Sequence, residues 1–588
     1  MLLIRSLLLT AAMKRCKILN SELTDYVSEL DDCVLSYILS KLTLKDLVKT
    51  RALSKHWLHK WGLRMDLNFD LHNMFGYNTV QELQRNFPCI QSEFARRLDQ
   101  FMQHYQGAVI HSIRVYFPFS DKHRGVIGKL ISKGIAKGVK RIELLLSNET
   151  TDTDFDIEMN PLKFSFTLLS DTDSLTYLHL QNCLIAAPMD FSGLKNLRTL
   201  VLHAVPVKPD LLSGLFSNCI HLADFTLDDC DFISDLQIIS STLFHLNIVN
   251  CRVYMPCNID IIASNLSSFE YSCNGPQVHP LNIKAHMLSK FSYRGSQISK
   301  FVRFSGLRNV TTIVLDGLRE CLQKRAVPCL FKKCLQLDNV TFKNCRIKRE
   351  MKIISAKLRH LKIIDCGYKD VPPCKIDIDA LNLSSFEYIG HRTMIFSVTA
   401  PNLLKVFCNA AVRRKNQHSL SPIPRLHHVE NLVMLTSHSQ IAKLKKDLGQ
   451  FQNLRQLELF IDEAHDPNMG YYSILDVLMA SQRLEKLSLT VRNSPVLGQK
   501  REYAGFFHND LKYVELHGCV CTINAIEFAK HLLRNAISLK KITFDSVDKF
   551  YIGAGRWSQG SNDHFFNRNF IHKRLKDEVK GQCQLKIL

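Results

Sequence analysis

The chain has 588 residues, 46% of them hydrophobic, with 76 Lys and Arg against 55 Asp and Glu for a formal charge of +21. That apolar content is ample for a buried core, and no run of 18 apolar residues proposes a membrane span. The positive charge favours acidic partners, but no Lys/Arg block is long enough for a dedicated nucleic-acid arm, so it reads as basicity spread over a large surface.

The 19 cysteines are odd in number and scattered. They are expected to be free thiols in a reducing compartment, cytoplasmic or nuclear, which excludes a disulfide framework. No C-x-x-C occurs. Cys519-Val-Cys521 and His427-His428 lack partners at metal spacing, so no zinc site and no other metal or cofactor is expected. Length alone suggests roughly four domains, a prior that internal repeats would void.

In chain order, residues 1–20 form an expected leader. Leu7 to Met13 is apolar but too short to span a bilayer, and it lacks a small-x-small cleavage site. Met13, before Lys14-Arg15, is an alternative translation start. From Leu30 to Trp61 the chain runs LDDCVLSYILSKLTLKDLVKTRALSKHWLHKW. Leu30, Val34, Leu35, Ile38, Leu39 and Leu42 recur at helical spacing and predict a first short helix. Asp31 or Asp32 is placed to cap it by accepting from a free backbone N–H. Thr43-Leu44-Lys45-Asp46 has the capping-box form and predicts a second helix. Ser54 is placed to cap a third, with Trp57 and Trp61 one turn apart. Three short helices carry more apolar surface than they can bury among themselves, and so small a unit is marginal alone. It needs a partner: the rest of the chain or another protein.

At these residues the chain resembles an F-box. The plant pattern is matched by Val27, Ser28, Leu30, Asp32, Val34, Leu35, Ile38, Leu39, Ser40, Leu42, Val48, Thr50, Leu53, Ser54, Lys55, Trp57 and Trp61. The family's Leu-Pro pair is Leu30-Asp31 here, and a second common proline is Thr43. The resemblance implies docking on the adaptor Skp1, and through it on a cullin. Leu30, Val34, Leu35, Ile38, Leu39 and Leu42 would make that contact, with Trp57 and Trp61 in the small core or at its rim. The absent first proline ordinarily helps form it.

Further on, Phe87, Ile90, Phe94, Leu98, Phe101, Met102 and Tyr105 predict an amphipathic helix running into Gly107 as its stop. Its aromatic stripe reads as core, joining the three-helix unit to the rest of the chain.

From Ile110 one phrase repeats, apolar-x-x-apolar-x-apolar. Examples are Leu175/Leu178/Leu180, Leu243/Leu246/Ile248, Leu358/Leu361/Ile363 and, degenerate, Leu403/Val406/Cys408; the last is Leu539/Ile542/Phe544. It recurs roughly every 21–25 residues where most regular, the leucine-rich-repeat signature. Asn or Asp followed by Cys often comes just after it, as in Asn182-Cys183, Asp229-Cys230, Asn250-Cys251, Asn344-Cys345 and Asp365-Cys366. Each copy predicts one short strand lining a shared core, and the buried cysteine packs as a small hydrophobe. The expected fold is α/β: a small three-helix F-box, then a curved leucine-rich-repeat solenoid with a parallel sheet and a C-terminal cap. A longer period is visible too. Thr242 to Tyr271 resembles Lys357 to Tyr388, as if a block of several repeats were duplicated.

The stretch Phe506 to Trp557 resembles the FBD domain that ends many plant F-box/leucine-rich-repeat proteins. The match runs through Leu511-Lys512, Val514-Glu515, Gly518, Glu527, Leu532-Leu533, Asn535-Ala536 and Leu539-Lys540-Lys541. The expected domains are a leader (1–20), the F-box (21–66), a helical linker (67–108), the solenoid (109–505), the FBD domain (506–558) and a loosely structured basic tail (559–588).

No P-loop, G-x-S-x-G elbow, H-E-x-x-H or dinucleotide fingerprint occurs, so no catalytic residue is assigned and an enzyme is not expected. The repeat offers a recognition surface instead, because alternate strand residues face outward. The middle of that series is basic. His245, Lys290, Arg294, Lys343, His360 and Lys362 are the candidate target-binding residues, for an acidic segment of an unidentified partner. The resemblance implies a substrate receptor of an SCF-type ubiquitin ligase. The alternative is a leucine-rich-repeat scaffold with no link to ubiquitination, its helices packed on its own chain. A basic nucleic-acid-binding solenoid rests on charge alone.

Overall fold

The computed structural model describes residues 30–588 apart from 51–59, 77–86, 147–159, 171, 187–192, 233, 254–256, 274–279, 296–306, 319–325, 348–349, 367–373, 391–393, 410–427, 437–440, 442–451, 462–470, 492–504, 548, 554–555, 560–566, 580 and 582. The leader, Ser54 and Trp57 lie outside the described residues. The chain divides into two compact units, Met1–Leu288 and Ser289–Leu588.

The first unit opens with the helices Asp32–Ser40 and Leu44–Lys49 and a single 3-10 turn at Trp61–Leu63. Thr43 caps the second helix as expected, its side chain accepting from the Asp46 N–H at 3.0 Å. Asp31 occupies the N-cap of the first helix without making a side-chain cap, and Asp32 instead pairs with Lys60 Nζ at 2.7 Å. The amphipathic helix Phe87–His104 comes next, with Phe94, Leu98, Phe101 and Met102 buried along it and Tyr105 buried just beyond its end.

Parallel strands then stack one per repeat. Asp66–Asp70 pairs with Ser112–Tyr116, and Arg141–Leu145, Tyr177–Gln181, Thr199–His203, Asp224–Asp228, His245–Val253 and Ser268–Cys273 follow in order. In the second unit the series runs from Lys290–Arg294 through Thr312–Asp316, Asn339–Lys343, His360–Cys366, Ser385–Gly390, Lys405–Asn409, Asn431–Thr436, Gln456–Ile461, Lys486–Val491 and Tyr513–Gly518 to Lys541–Asp545. Every apolar residue of the repeated phrase is buried. The physical reason is the strand's period of two: the phrase's second and third apolar residues face the core, and the residues between them face out.

The Asn/Asp-Cys pairs acquire a stereochemical cause. Asn182, Asp229, Asn250, Asn344 and Asp365 all adopt left-handed backbone, with φ between 49° and 57°. Asn and Asp tolerate that region better than other side-chain-bearing residues. The turn delivers the next residue inward, and Cys183, Cys230, Cys251, Cys345 and Cys366 are buried. There the thiols of Cys230, Cys345 and Cys366 donate to the carbonyls of Leu202, Leu315 and Phe342, at 3.3, 3.3 and 3.4 Å. A second stitch precedes each strand. The Asn196, Asn265 and Asn382 side chains donate to the carbonyls of Asp173, Ser241 and Ala356 in the preceding repeat, at 2.8, 2.7 and 2.6 Å.

The duplicated blocks fold alike, one in each unit. Each runs front strand, back strand, front strand: His245–Val253, Ile259–Ile262 and Ser268–Cys273, against His360–Cys366, Cys374–Asp379 and Ser385–Gly390. Each back strand is the centre of a three-stranded parallel sheet.

Two sequence expectations are corrected. The sheet starts at Asp66–Asp70, upstream of residue 109, because Leu67 and Phe69 alternate inward like any repeat strand. The tail is not loose: helix Arg568–Leu575 buries Ile571 and Leu575, and Gln584–Ile587 adds a last parallel strand to Lys541–Asp545. Gln584 and Leu588 donate their N–H groups to the carbonyls of Lys540 and Phe544, at 2.8 and 2.9 Å. These bonds occupy an edge that would otherwise be open.

Candidate docking surface and recognition face

The first helix has two apolar faces, because Leu35 and Leu39 lie on one side and Val34 and Tyr37 on the other, with Leu30 just ahead of the helix. Leu35 and Leu39 are fully buried in the protein's own core, whereas Leu30, Val34 and Tyr37 are 38%, 46% and 66% exposed. Ile38 and Leu42 are half-buried. On the second helix Leu44 and Leu47 turn inward, and Val48 stays exposed. The expected contact set is thus split. Leu30 and Val34 are available to a partner, and Leu35, Leu39 and Trp61 hold the unit together. Tyr37 and Val48 are exposed too and stand outside the expected contact set, although Val48 matches the F-box pattern and the helical spacing of both carried the signal.

That small core has polar fastenings. Trp61 Nε1 donates to Thr50 Oγ1 at 3.0 Å, and Thr50 Oγ1 donates to the Leu47 carbonyl at 2.7 Å. Arg64 is buried, with Nη1 donating to the Leu42 carbonyl at 2.6 Å and the Leu39 carbonyl at 3.4 Å. It adds a donor at the end of the first helix, where the Leu39 carbonyl also accepts from the Leu42 N–H. Burial depresses the Arg64 pKa, opposed by nearby Asp66 and Asp70. Tyr105 Oη, just past the long helix, donates to the Arg64 carbonyl at 2.8 Å. Nothing in the sequence pattern singled out Arg64; its role depends on contacts closed over long separations.

The recognition face is built from the outward strand positions. In the first unit Glu143 sits between Arg114 and Arg141, at 3.3 and 2.5 Å, and the Arg141 guanidinium lies 3.5 Å from the Tyr177 ring centroid. His179 stacks near His203 at 6.4 Å, and burial foremost lowers its pKa to about 4. His245 is exposed, 3.9 Å from Asp224.

In the second unit the basic candidates prove to be largely paired. Arg294 reaches Asp316 at 3.1 Å, Lys343 the same carboxylate at 4.0 Å, and Lys362 meets Glu387 at 2.9 Å. Asp316 and Glu387 stand on the neighbouring strands Thr312–Asp316 and Ser385–Gly390. The basic series was assembled without those two strands, so the acids that balance it were left out. Lys290 is exposed, and His360 is half-buried on the same face. The five candidates of the second unit therefore stand on outward strand positions, but they do not form an open cationic patch.

Among the described residues every cysteine is a free thiol, no group of three potential metal ligands occurs, and no helix is long and apolar enough to cross a membrane.

Comparison with known proteins matches this architecture. The family model described as At1g61320/AtMIF1, LRR domain, matches residues 102–328 and 282–572, and that of the F-box domain matches residues 27–64. The chain is similar to the putative FBD-associated F-box protein At1g61330 of Arabidopsis thaliana, 27% identical over 57% of this chain and 67% of the relative. It resembles F-box/FBD/LRR-repeat protein At1g13570 of the same plant, 25% identical over 38% of this chain and 49% of the relative. F-box/LRR-repeat protein 13, also of Arabidopsis thaliana, is 22% identical over 81% of this chain and 98% of its own length.

Proposed function

Because the chain belongs to the F-box/leucine-rich-repeat family, we propose that it is the substrate-recognition subunit of an SCF-type E3 ubiquitin ligase. The helical unit docks on a Skp1-type adaptor and through it on a cullin. The repeats hold a target protein, and the FBD-like region 506–558, with the last strand Gln584–Ile587 on its edge, closes the solenoid. Such a receptor is non-catalytic. It raises the effective concentration of a target lysine near a thioester formed on another subunit. The reading places it in the cytoplasm or nucleus.

The observation that carries this is the exposure of Leu30, Val34, Tyr37 and Val48 on a unit whose own core is already filled by Leu35, Leu39, Leu44, Leu47 and Trp61. Several large apolar side chains left exposed on one small unit are the mark of an interface. If the helices served only to pack on their own chain, as in the scaffold alternative, this side would need no such residues.

The test is capture of a Skp1 homologue by the full chain, compared with a Val34→Asp/Tyr37→Asp variant whose circular dichroism is unchanged. Capture by the intact chain and its loss in the variant support the proposal. An intact, folded chain that captures no Skp1 homologue sinks it in favour of the scaffold.

A further inference from the structure

On the outward face of the second unit lies a groove of about 970 Å³. The strand register puts Glu387, Phe407, Val433 and Glu458 side by side across it, one from each of four neighbouring strands. Two apolar side chains thus stand between two carboxylates.

Both carboxylates have accepting capacity left over. Glu387 is 4% exposed. Its Oε2 takes Lys362 at 2.9 Å, while Oε1 has no hydrogen-bond partner among the described residues. A buried acceptor left without a donor is costly, and an incoming donor recovers that cost. Glu458 accepts from the buried Ser488 Oγ at 3.4 Å, long for such a bond. Burial foremost pushes its pKa up. Lys486 and Lys549, which line the same groove, oppose that shift through space but make their ion pairs with Glu515, at 2.9 and 3.7 Å.

Spacing then selects the occupant. Three strand-to-strand steps place Glu387 and Glu458 about 14 Å apart. In an extended segment alternate side chains share one side, and residues i and i+4 are also about 14 Å apart. We propose that this groove seats an extended segment of the target protein running across the strands. Its central apolar side chain rests on Phe407 and Val433. An Arg or Lys two residues to one side meets Glu458, and an uncharged N–H or O–H donor two residues to the other meets Glu387. The donor at Glu387 is uncharged because Lys362 already balances that carboxylate. Among the described residues three of the groove's four lysines are held by its carboxylates, Lys362 by Glu387 and Lys486 and Lys549 by Glu515, so an acidic segment would find Lys405 alone outside these pairs. This inference rests on the receptor reading, and it reverses the charge of the target expected from the basic series.

The experiment is selection of phage-displayed random heptapeptides on the immobilised full chain, with Skp1 capture measured on the same protein. The expected result is enrichment of peptides carrying Arg or Lys two residues from a large apolar residue. A synthetic enriched peptide should bind the Glu458→Lys chain roughly tenfold or more weakly, and exchanging its Arg for Glu should restore binding to that variant. Glu387→Gln should weaken the same peptide to a lesser extent. Enrichment of acidic peptides, equal binding by wild type and Glu458→Lys, or no enrichment at all would overturn the proposal. Failure of Skp1 capture by the intact chain counts against the receptor reading alone and leaves the peptide result standing.

Discussion

Trp61 lies almost parallel to Phe101, their ring centroids 6.1 Å apart and their planes 7° from each other. Trp61 closes the helical unit, and Phe101 belongs to the long helix Phe87–His104. Phe101 in turn meets Phe69 of the first strand edge-on at 5.6 Å. The helical unit and the first strand are therefore clamped together through an aromatic stack.

That clamp also depends on two glycines. A Cβ on Gly62 would come within 2.7 Å of the Gly107 backbone Cα. Gly62→Ala is expected to cost about 1–3 kcal/mol, because neither backbone can move aside cheaply. A lowered urea midpoint with an unchanged m-value is the check; an unaltered midpoint would show that the two segments do not press together.

Asp31 has φ −54° and makes no side-chain cap. Proline fixes φ near this value and lacks only an N–H that the start of a helix does not need. Asp31→Pro should therefore fold normally and gain up to about 1 kcal/mol by restricting the unfolded chain. A rise in Tm checks this. A fall would mean that the absent family proline reflects a conformation hostile to it.

Asn250 sits at φ 57° just before buried Cys251. Asn250→Ala should cost about 1–2 kcal/mol, with Asn250→Gly losing less, since glycine adopts this region freely. Its Nδ2 also donates to Asp228 Oδ1 at 3.0 Å. If backbone conformation is the main demand at this position, the glycine variant is the more stable of the two in chemical denaturation. Equal losses in the two variants would mean that the hydrogen bond to Asp228, which both lack, outweighs the backbone preference.

Acid should unfold the first unit in two windows. Burial holds the His179 pKa at about 4, below about 6.5 in an unfolded chain. The unfolded state then binds the extra proton, so this contribution is complete above about 6.5 and lost as pH falls toward 4. Glu93, hydrogen-bonded first by Arg96 and then by Arg97, is held at about 2. Its contribution is complete above about 4.3 and fades as pH falls toward 2, weakly and with a salt dependence because the pairs are exposed. Urea midpoints against pH should flatten between 4 and 6.5 in His179→Gln and below 4.3 in Glu93→Gln. Unchanged profiles would refute the assignments.

The repeat phrase was legible even at Leu403/Val406/Cys408, where the degenerate copy still forms the strand Lys405–Asn409. Burial of alternate residues is a local requirement, and a local pattern records it. The strand Gln584–Ile587 was missed because, although Leu585 and Ile587 alternate as in other copies, Gln582 stands where the phrase opens with an apolar residue. The paired state of Arg294, Lys343 and Lys362 was illegible for another reason. Their partners stand one strand away, some two dozen residues off in the chain, and charge added along the sequence does not show which acids lie alongside.

The buried thiols beside the left-handed turns have a practical consequence. Cys183, Cys230, Cys251, Cys345 and Cys366 sit in separate repeats, each sealed from solvent. Alkylation of any one must wait until its own repeat opens. The chain thus carries built-in labels along its length, and the order in which they react with a thiol reagent would map which repeats breathe first.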